Sequence, residues 1–373
     1  MKKYSIWSHY RYLYSELWRY DSKLFLLSIL ECILRAAKPF IAVVLPAFIV
    51  GLLEQGVEVK TLVFSCLGAF LVSGILLGVA ECLEQPNWTG YIFVRLEKFW
   101  SAILYKCIDM DYVLFEKEEV QKDVNYAFNA INSNRDGVEG FYHQNVNLFS
   151  SILGITIYSL LLAKVHPLLI LFLLVLSLVQ YIFHRIAENY EEKNRDEQSK
   201  RYMHQQYLFR QSADVKNGKD VRLFQLQDWL TSLFLKYNKE YQKQLSKNER
   251  LFYVYDFVGL VLNLFRDALC YGYLIYLLTQ GMSVSKFVLY LGVVGGFGSW
   301  FQQISTAVAE LSRCMKQINH YRDFMDMKNV YLRDEGKELK TQKGIPFDIV
   351  FEDVSFMYPG TEKPVLEHIS FHL

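Results

Sequence analysis

The sequence predicts an all-α protein that crosses a membrane several times. Of its 373 residues, 52% are hydrophobic and only 21% are charged, and the mean hydropathy is +0.10. A positive mean hydropathy is unusual for a soluble chain of this length, and it excludes an intrinsically disordered one. The aromatic content of 16% suits a membrane protein with aromatic belts at the two interfaces.

Six apolar stretches are long enough for a helix to cross a hydrocarbon core of about 30 Å. The stretches are 24–53, 61–82, 141–163, 168–184, 251–278 and 287–311. The connections 54–60, 164–167 and 279–286 are tight turns, whereas 81–140 and 185–250 are long. We therefore expect a six-span membrane domain over residues 24–328, with two long extensions on the same side of the membrane.

Basic residues predict the orientation of the spans. Each short connection carries one basic residue, namely Lys60, Lys164 or Lys286, whereas the long segments and the N-terminus carry many. Basic residues concentrate in cytoplasmic loops, so both termini and both long segments are expected in the cytoplasm. Residues 1–23 mix Trp and Tyr with Arg, which predicts an amphipathic helix in the membrane interface. A plain cytoplasmic helix is the alternative.

The long segments are predicted to be helical struts rather than domains. Residues 185–210 are rich in Glu, Lys, Arg and Gln and contain neither Pro nor Gly, which favours helix. About 25 such residues would extend a helix nearly 40 Å beyond the membrane. The chain is expected to reverse at 111–120 in the first segment. In the second it is expected to reverse near Asn217 and Gly218, because Asn and Gly break helices and tolerate left-handed conformations.

The C-terminal residues change in character. After a polar linker at 329–345, residues 349–360 and 365–373 place β-branched and aromatic residues in near alternation around a Pro359–Gly360 turn. This pattern predicts two strands in the segment 346–373. Because a lone hairpin is marginal in water, we expect the chain to end inside its last domain.

Several short motifs resemble those of one transporter family. Tyr358, Pro359 and Gly360, followed by Val365 and Leu366, resemble the opening of an ABC transporter nucleotide-binding domain. The six spans with two long excursions resemble the membrane domain of an ABC exporter half-transporter. MDYVLFEKEEVQ and GKDVRLFQLQDWL resemble the two cytoplasmic turns in a bacterial branch of that family. The resemblance covers the whole chain.

The resemblance implies ATP-driven export of an amphipathic substrate, such as a peptide, a lipid or a drug-like molecule, across the plasma membrane. A second half-transporter would complete a homodimer or heterodimer, and ATP with Mg²⁺ would bind to completed nucleotide-binding domains. Tyr358 would stack on adenine, although it could instead fill space before the turn proline. A non-transporting membrane protein, such as an immunity factor or a receptor-like scaffold, is the rival function.

The same resemblance implies two coupling turns that contact the nucleotide-binding domains. Leu114 and Phe115 are the apolar residues of the first turn, and Lys216 and Gly218 belong to the second. Exposed apolar residues at the tip of a strut indicate a partner surface. The alternative is that Leu114 and Phe115 tuck between the helices of their own segment.

The machinery for ATP hydrolysis is absent from the sequence. A phosphate-binding loop requires Gly-x-x-x-x-Gly-Lys followed by Ser or Thr. The two Gly-Lys pairs, Gly218–Lys219 and Gly336–Lys337, both lack the earlier Gly. We therefore expect no ATP hydrolysis by this chain alone. The eight histidines show no metal-ligand spacing, and the net charge of +1 lacks the basic excess of a nucleic-acid-binding protein.

Charged and glycine residues inside the spans are candidates for a substrate pathway. Intramembrane charges usually face a cavity or pair with each other. We hypothesise that Arg35 and Arg266 face a central polar cavity, and a buried structural ion pair is an equally open alternative. Gly295 and Gly296 would let the sixth span bend, or would simply allow close helix packing. The charged residues within the apolar stretches are Glu31, Arg35, Lys38, Asp256, Arg266 and Asp267.

Overall fold

The computed structural model describes residues 4–329, 348–358 and 363–373. As predicted, the chain is mostly helical and contains several long apolar helices. The helices in order are Ile6–Tyr20 (α1), Ser22–Glu54 (α2), Val59–Phe93 (α3), Ser101–Asp109 (α4), Tyr112–Phe115 (α5), Glu118–Asn129 (α6), Gly137–Ala163 (α7), Pro167–Ala213 (α8), Gly218–Leu223 (α9), Gln227–Thr279 (α10) and Val284–Met325 (α11). A π-helical segment, Val94–Trp100, joins α3 to α4, and a 3₁₀ turn, Val215–Asn217, precedes α9.

Five of these helical segments are apolar and long enough to cross a membrane. They are α2, the continuous segment Val59–Asp109, α7, α10 and α11. The predicted fourth span coincides with the shorter apolar part of α8, Pro167–Phe183, which would measure about 26 Å. The chain is therefore a multi-pass membrane protein by helix length and composition, and the sixth crossing stays a prediction.

The described residues form two compact units. Unit 1 comprises Met1–Phe25, Trp88–His143 and Glu310–Leu373, and unit 2 comprises Leu26–Asn87 and Gln144–Ala309. The predicted domain boundaries at residues 23 and 328 stay a prediction.

In unit 1, α1 is tied to residues from distant parts of the sequence. Its Leu13 and Leu17 are fully buried, and the Leu13 carbonyl accepts a hydrogen bond of 2.8 Å from the Tyr142 hydroxyl. The Tyr4 hydroxyl donates to Asp326 at 2.6 Å. Burial, together with the Asp326 carboxylate, raises the pKa of Tyr4 to about 12. The Tyr4 hydroxyl therefore keeps its proton, and its hydrogen bond to Asp326, to a higher pH than an unperturbed tyrosine would.

Two short turns in unit 2 depend on glycine and on a capping carboxylate. Gly56, between α2 and α3, and Gly281, between α10 and α11, have φ angles of +66° and +98°, a left-handed region in which glycine lacks the steric cost of a Cβ atom. The Glu54 carboxylate accepts hydrogen bonds from the backbone amides of Val284 and Ser285, at 2.5 and 3.0 Å. These bonds satisfy amides at the start of α11, where a negative charge is also favourable.

The chain reverses between α8 and α10 at the position that the sequence predicts. The residues that make the turn are different from those expected. Gly218 has a φ of −60° and begins α9, so it does not provide a left-handed break as expected. Instead, the Asp214 side chain accepts a hydrogen bond of 3.0 Å from the Lys216 amide and starts the 3₁₀ turn. The left-handed residue in this region is Gln225, with a φ of +50°.

The core of unit 2 combines α7, α8, α10 and α11. Its fully buried members include Leu162, Leu173, Leu274 and Phe297. The helix α11 continues without interruption through Gly295 and Gly296. The predicted bend during transport is therefore not a fixed break in this helix.

The C-terminal residues contain two antiparallel strands, Val350–Phe356 (β1) and Leu366–His372 (β2). Phe351 lies opposite Phe371, and their rings stack with centroids 4.3 Å apart. The pairing register shifts on either side of Val354. The predicted Pro359–Gly360 turn and almost all of the linker at 329–345 lie outside the described residues.

Gly295 and Gly296 provide a matched pair for testing packing. A Cβ atom on Gly296 would lie 2.6 Å from the buried Tyr158 ring, whereas one on Gly295 would come no closer than 3.5 Å, to the Tyr271 hydroxyl. We expect Gly296→Ala to destabilise the protein by about 1–3 kcal/mol through overpacking, and Gly295→Ala to change stability by less. Thermal unfolding of both variants in the same detergent is the measurement, and equal melting temperatures would contradict the packing role of Gly296.

Candidate functional site among the membrane helices

The most informative surface in unit 2 is a polar face on α11. Gly295, Ser299, Gln302 and Thr306 are all exposed, and their spacing of four, three and four residues places them on one side of a helix. Lipid tails offer no hydrogen-bonding partner, so polar side chains in a span normally face a cavity or another protein surface. The polar face of α11 therefore indicates a hydrated or protein-covered surface rather than a lipid-facing one.

A cavity of about 270 Å³ lies between α8, α10 and α11. Gln180 of α8 donates hydrogen bonds to the Asn263 side chain at 2.8 Å and to the Gly259 carbonyl at 3.2 Å. These two bonds tie α8 to α10 at the cavity wall. The polar residues that line this cavity include Ser177, Gln180, Asp256, Asn263, Gln302, Ser305 and Thr306.

A second cavity of about 360 Å³ lies between α7 and α11. Gln144 and Asn147 line it from α7, and Ser299 is among the residues that line it from α11. Gln302 and Thr306 line both cavities. The polar face of α11 is therefore a wall that the two cavities share.

Arg35 belongs to an ion-pair network between α2 and α3. Its guanidinium contacts the Glu31 carboxylate at 3.0 Å and the Glu84 carboxylate at 2.6 Å. It also donates a hydrogen bond of 2.6 Å to the Asn147 side chain, which lines the second cavity. Lys38 contacts Glu84 at 3.0 Å, so Glu84 pairs with two cations. Arg35 is therefore ion-paired. Its contact with the second cavity is indirect, because its hydrogen-bond partner Asn147 lines that cavity.

Arg266 is paired within its own helix. Its guanidinium contacts the Asp267 carboxylate at 2.8 Å, and a Cβ atom on Gly298 would lie only 2.4 Å from it. Asn263 and Gly298, which flank this pair, line the first cavity. Arg266 thus lies beside the cavity with its charge compensated by Asp267.

The two predicted coupling turns differ in exposure. Leu114 is only 9% exposed and Phe115 is half-buried. Both the coupling role and the alternative that they tuck into their own segment stay predictions. In the second turn Lys216 is exposed and Gly218 is half-buried.

Around the second turn, the apolar residues are strongly exposed. Val215, Leu223 and Phe224 are 92%, 67% and 66% exposed. The second turn therefore offers the larger uncovered apolar surface.

Tyr358 offers a ring face but no complete nucleotide site. It is 47% exposed and packs edge-to-face against Phe356 with centroids 5.1 Å apart. The sequence contains no phosphate-binding loop of the form Gly-x-x-x-x-Gly-Lys followed by Ser or Thr. Among the described residues, no cluster of three or more His, Cys, Asp or Glu side chains could hold a metal ion.

The main cavity residues were missed by sequence reasoning. Asp256 was noticed only as a charge in a span, and Gln180, Asn263 and Gln302 were not selected. A usable signal was the polar spacing along 295–306, where Ser, Gln and Thr recur every three or four residues inside an apolar stretch. This spacing predicts a polar helix face, but it does not say which neighbouring helices contribute the opposite wall.

Comparison with known protein families and with curated proteins found no match to this chain.

The Arg35 network can be tested by removing one charge. Arg35→Gln would leave the buried Glu31 carboxylate without its cation, and we expect a loss of about 3 kcal/mol in stability. The double variant Arg35→Gln/Glu31→Gln should recover part of this loss, because no charge then remains unpaired at that contact. Thermal unfolding in detergent is the measurement. A double variant less stable than Arg35→Gln alone would contradict this account.

Proposed function

We propose that this chain is the membrane-spanning half of an ATP-driven exporter of the ABC type, which moves an amphipathic cargo outward across the plasma membrane. The observation that carries the proposal is the exposed polar face of α11 with its two adjoining cavities. Such a face is costly against lipid but useful in a transporter, where it lines a hydrated path for cargo.

The lengths of α8 and α10 support cytoplasmic struts. With 47 and 53 residues, these helices extend about 70 and 80 Å at 1.5 Å per residue, more than twice the hydrocarbon thickness. The predicted apolar parts are 168–184 of α8 and 251–278 of α10. The excess length of both helices therefore lies at the end near 213–227, which the distribution of basic residues assigns to the cytoplasm.

A second half-transporter explains why the polar face of α11 is uncovered in one chain. Six spans from each of two halves would surround a pathway that neither half closes alone. Homodimeric and heterodimeric arrangements both meet this requirement.

The exposed second turn is the proposed contact with a nucleotide-binding domain. Val215, Leu223 and Phe224 form an apolar surface at the end of a long helix pair, where a cytoplasmic partner could push on the spans. The sequence has no phosphate-binding loop. In this proposal ATP is therefore hydrolysed by nucleotide-binding domains that include residues other than those described.

Topology provides the first test of this proposal. In a cysteine-free background, single cysteines at Gln55 and Gln280 should react with a membrane-impermeant maleimide from outside intact cells. A cysteine at Lys216 should react only after the membrane is permeabilised. Labelling of all three positions from the same side would contradict the topology on which the exporter proposal depends.

The second test concerns the coupling of ATP hydrolysis to transport. It uses the protein assembled with its nucleotide-binding domains in proteoliposomes. We expect Phe224→Ser to reduce cargo-stimulated ATPase and transport together by severalfold or more, because an apolar contact on a partner is lost. ATP binding and thermal stability should be unchanged, since Phe224 is largely exposed in this chain.

The matched control is Tyr207→Ser, which removes an exposed aromatic side chain from α8 away from the turn. Normal transport by Phe224→Ser would show that this turn does not transmit the motion. Absence of ATP-dependent transport in the unmodified assembly would instead favour the non-transporting membrane protein.

A further inference from the structure

We infer that the cavity between α8, α10 and α11 binds the cationic side chain of a peptide cargo, with the Asp256 carboxylate as the counter-charge. This inference names the class of cargo for the proposed exporter. The direction in which the cargo moves rests on the proposed function. The binding itself requires only the cavity and the residues around it.

Asp256 is the charged residue in the cavity wall. The other described lining residues are neutral, and none of them is Lys, Arg or His. Within the described residues, Asp256 takes part in no ion pair or hydrogen bond of its side chain. By contrast, Glu31 and Glu84 pair with Arg35, and Asp267 pairs with Arg266. A carboxylate that has no partner among the described residues, at the wall of a cavity, can pair with an external cation.

The position of Asp256 along α10 suits a cargo that enters from the cytoplasm. Asp256 precedes Thr279, the end of α10, by 23 residues, which corresponds to about 35 Å along the helix. With a hydrocarbon core of about 30 Å, the carboxylate lies near the inner boundary of the membrane. A charged side chain there avoids most of the cost of burial in lipid, and it is among the first cavity groups that an entering cargo meets.

The rest of the wall matches a peptide better than an anionic lipid. The Gln302 amide can both donate and accept hydrogen bonds, as a peptide backbone does. The Gln180 amide already donates to Asn263 and Gly259, so its carbonyl oxygen offers an acceptor to the cargo. Tyr181 and Tyr255 also line the cavity, and aromatic faces attract cations. An anionic lipid phosphate would instead face Asp256 with a charge of the same sign.

The volume of the cavity limits the size of the cargo group that can enter it. A volume of about 270 Å³ falls just below the range of roughly 300–1,000 Å³ that is typical of small-molecule pockets. It therefore suits one long cationic side chain with its local backbone rather than a folded peptide. The second cavity shares Gln302 and Thr306, so the neighbouring residues of an extended peptide have a continuous polar wall to follow.

The test is calorimetric titration of the full chain, in nanodiscs of neutral phosphatidylcholine and without ATP. The probe is a blocked Leu-Lys-Lys-Leu tetrapeptide, and its neutral counterpart carries acetyl-lysine at both central positions. We expect the lysine peptide to bind at least about tenfold more tightly than the acetyl-lysine peptide, because charge-assisted contacts are the stronger ones. Asp256→Asn should remove this preference while leaving acetyl-lysine binding and the melting temperature unchanged.

The matched control is Glu249→Gln, which neutralises an exposed carboxylate on the same helix outside the cavity. It should leave the affinity for the lysine peptide unchanged. Equal affinity of the unmodified protein and Asp256→Asn for the lysine peptide would overturn the inference. So would equal binding of the lysine and acetyl-lysine peptides, as expected if lipid or a partner helix fills the cavity.

A small amine tests whether the bound cation must belong to a peptide or can be a free amine. Binding of the peptide that depends on Asp256 and is not matched by n-butylamine, which carries the lysine head group without a backbone, supports a peptide cargo. Binding of n-butylamine alone would overturn the peptide assignment. The binding experiment uses no ATP and does not measure transport. Its result therefore stays valid even if the transport assay contradicts the exporter proposal.

Discussion

A polar group inside a membrane must be paired or hydrated, because hydrocarbon offers it neither a counter-charge nor a hydrogen bond. Unit 2 meets this constraint in two ways. Arg35 is held by Glu31 and Glu84 at 3.0 and 2.6 Å, so its charge is compensated within the protein. On the polar face of α11, Ser299 donates a hydrogen bond of 2.7 Å to the Gly296 carbonyl, whereas Gln302 and Thr306 border two cavities. This difference separates the structural polar groups from those available to a cargo.

The helices α7 and α11 pack closely at two glycines. Gly154 and Gly296 lie where a Cβ atom would come within 2.4 Å of Trp300 and 2.6 Å of Tyr158, so α7 and α11 approach more closely there than larger residues allow. Phe297, next to Gly296, is fully buried. Farther along the same pair of helices, Gln144 and Asn147 of α7 and Gln302 of α11 line the second cavity.

Local signals in the sequence were most reliable where one helix determines the outcome. Hydropathy located five helical segments that are long and apolar enough to cross a membrane, and the turn residues located the reversal near Asn217. The role given to Gly218 was wrong, because its φ is −60° and the Asp214 side chain starts the turn by accepting a hydrogen bond from the Lys216 amide. The left-handed residue of this connection is Gln225. The charged neighbours of Leu114 suggest an exposed turn, whereas Leu114 is only 9% exposed.

By itself, the sequence determined that the chain is helical and multi-pass, because the apolar length and the helical period are properties of contiguous residues. It also determined the charges within the spans and the lack of a phosphate-binding loop. Only the tertiary structure decided that Arg35 is paired across α2 and α3, whereas Asp256 faces a cavity among α8, α10 and α11. The physical reason is that pairing depends on residues such as Glu84 and Asn147, which lie 49 and 112 positions away from Arg35 along the chain and which no local pattern brings together.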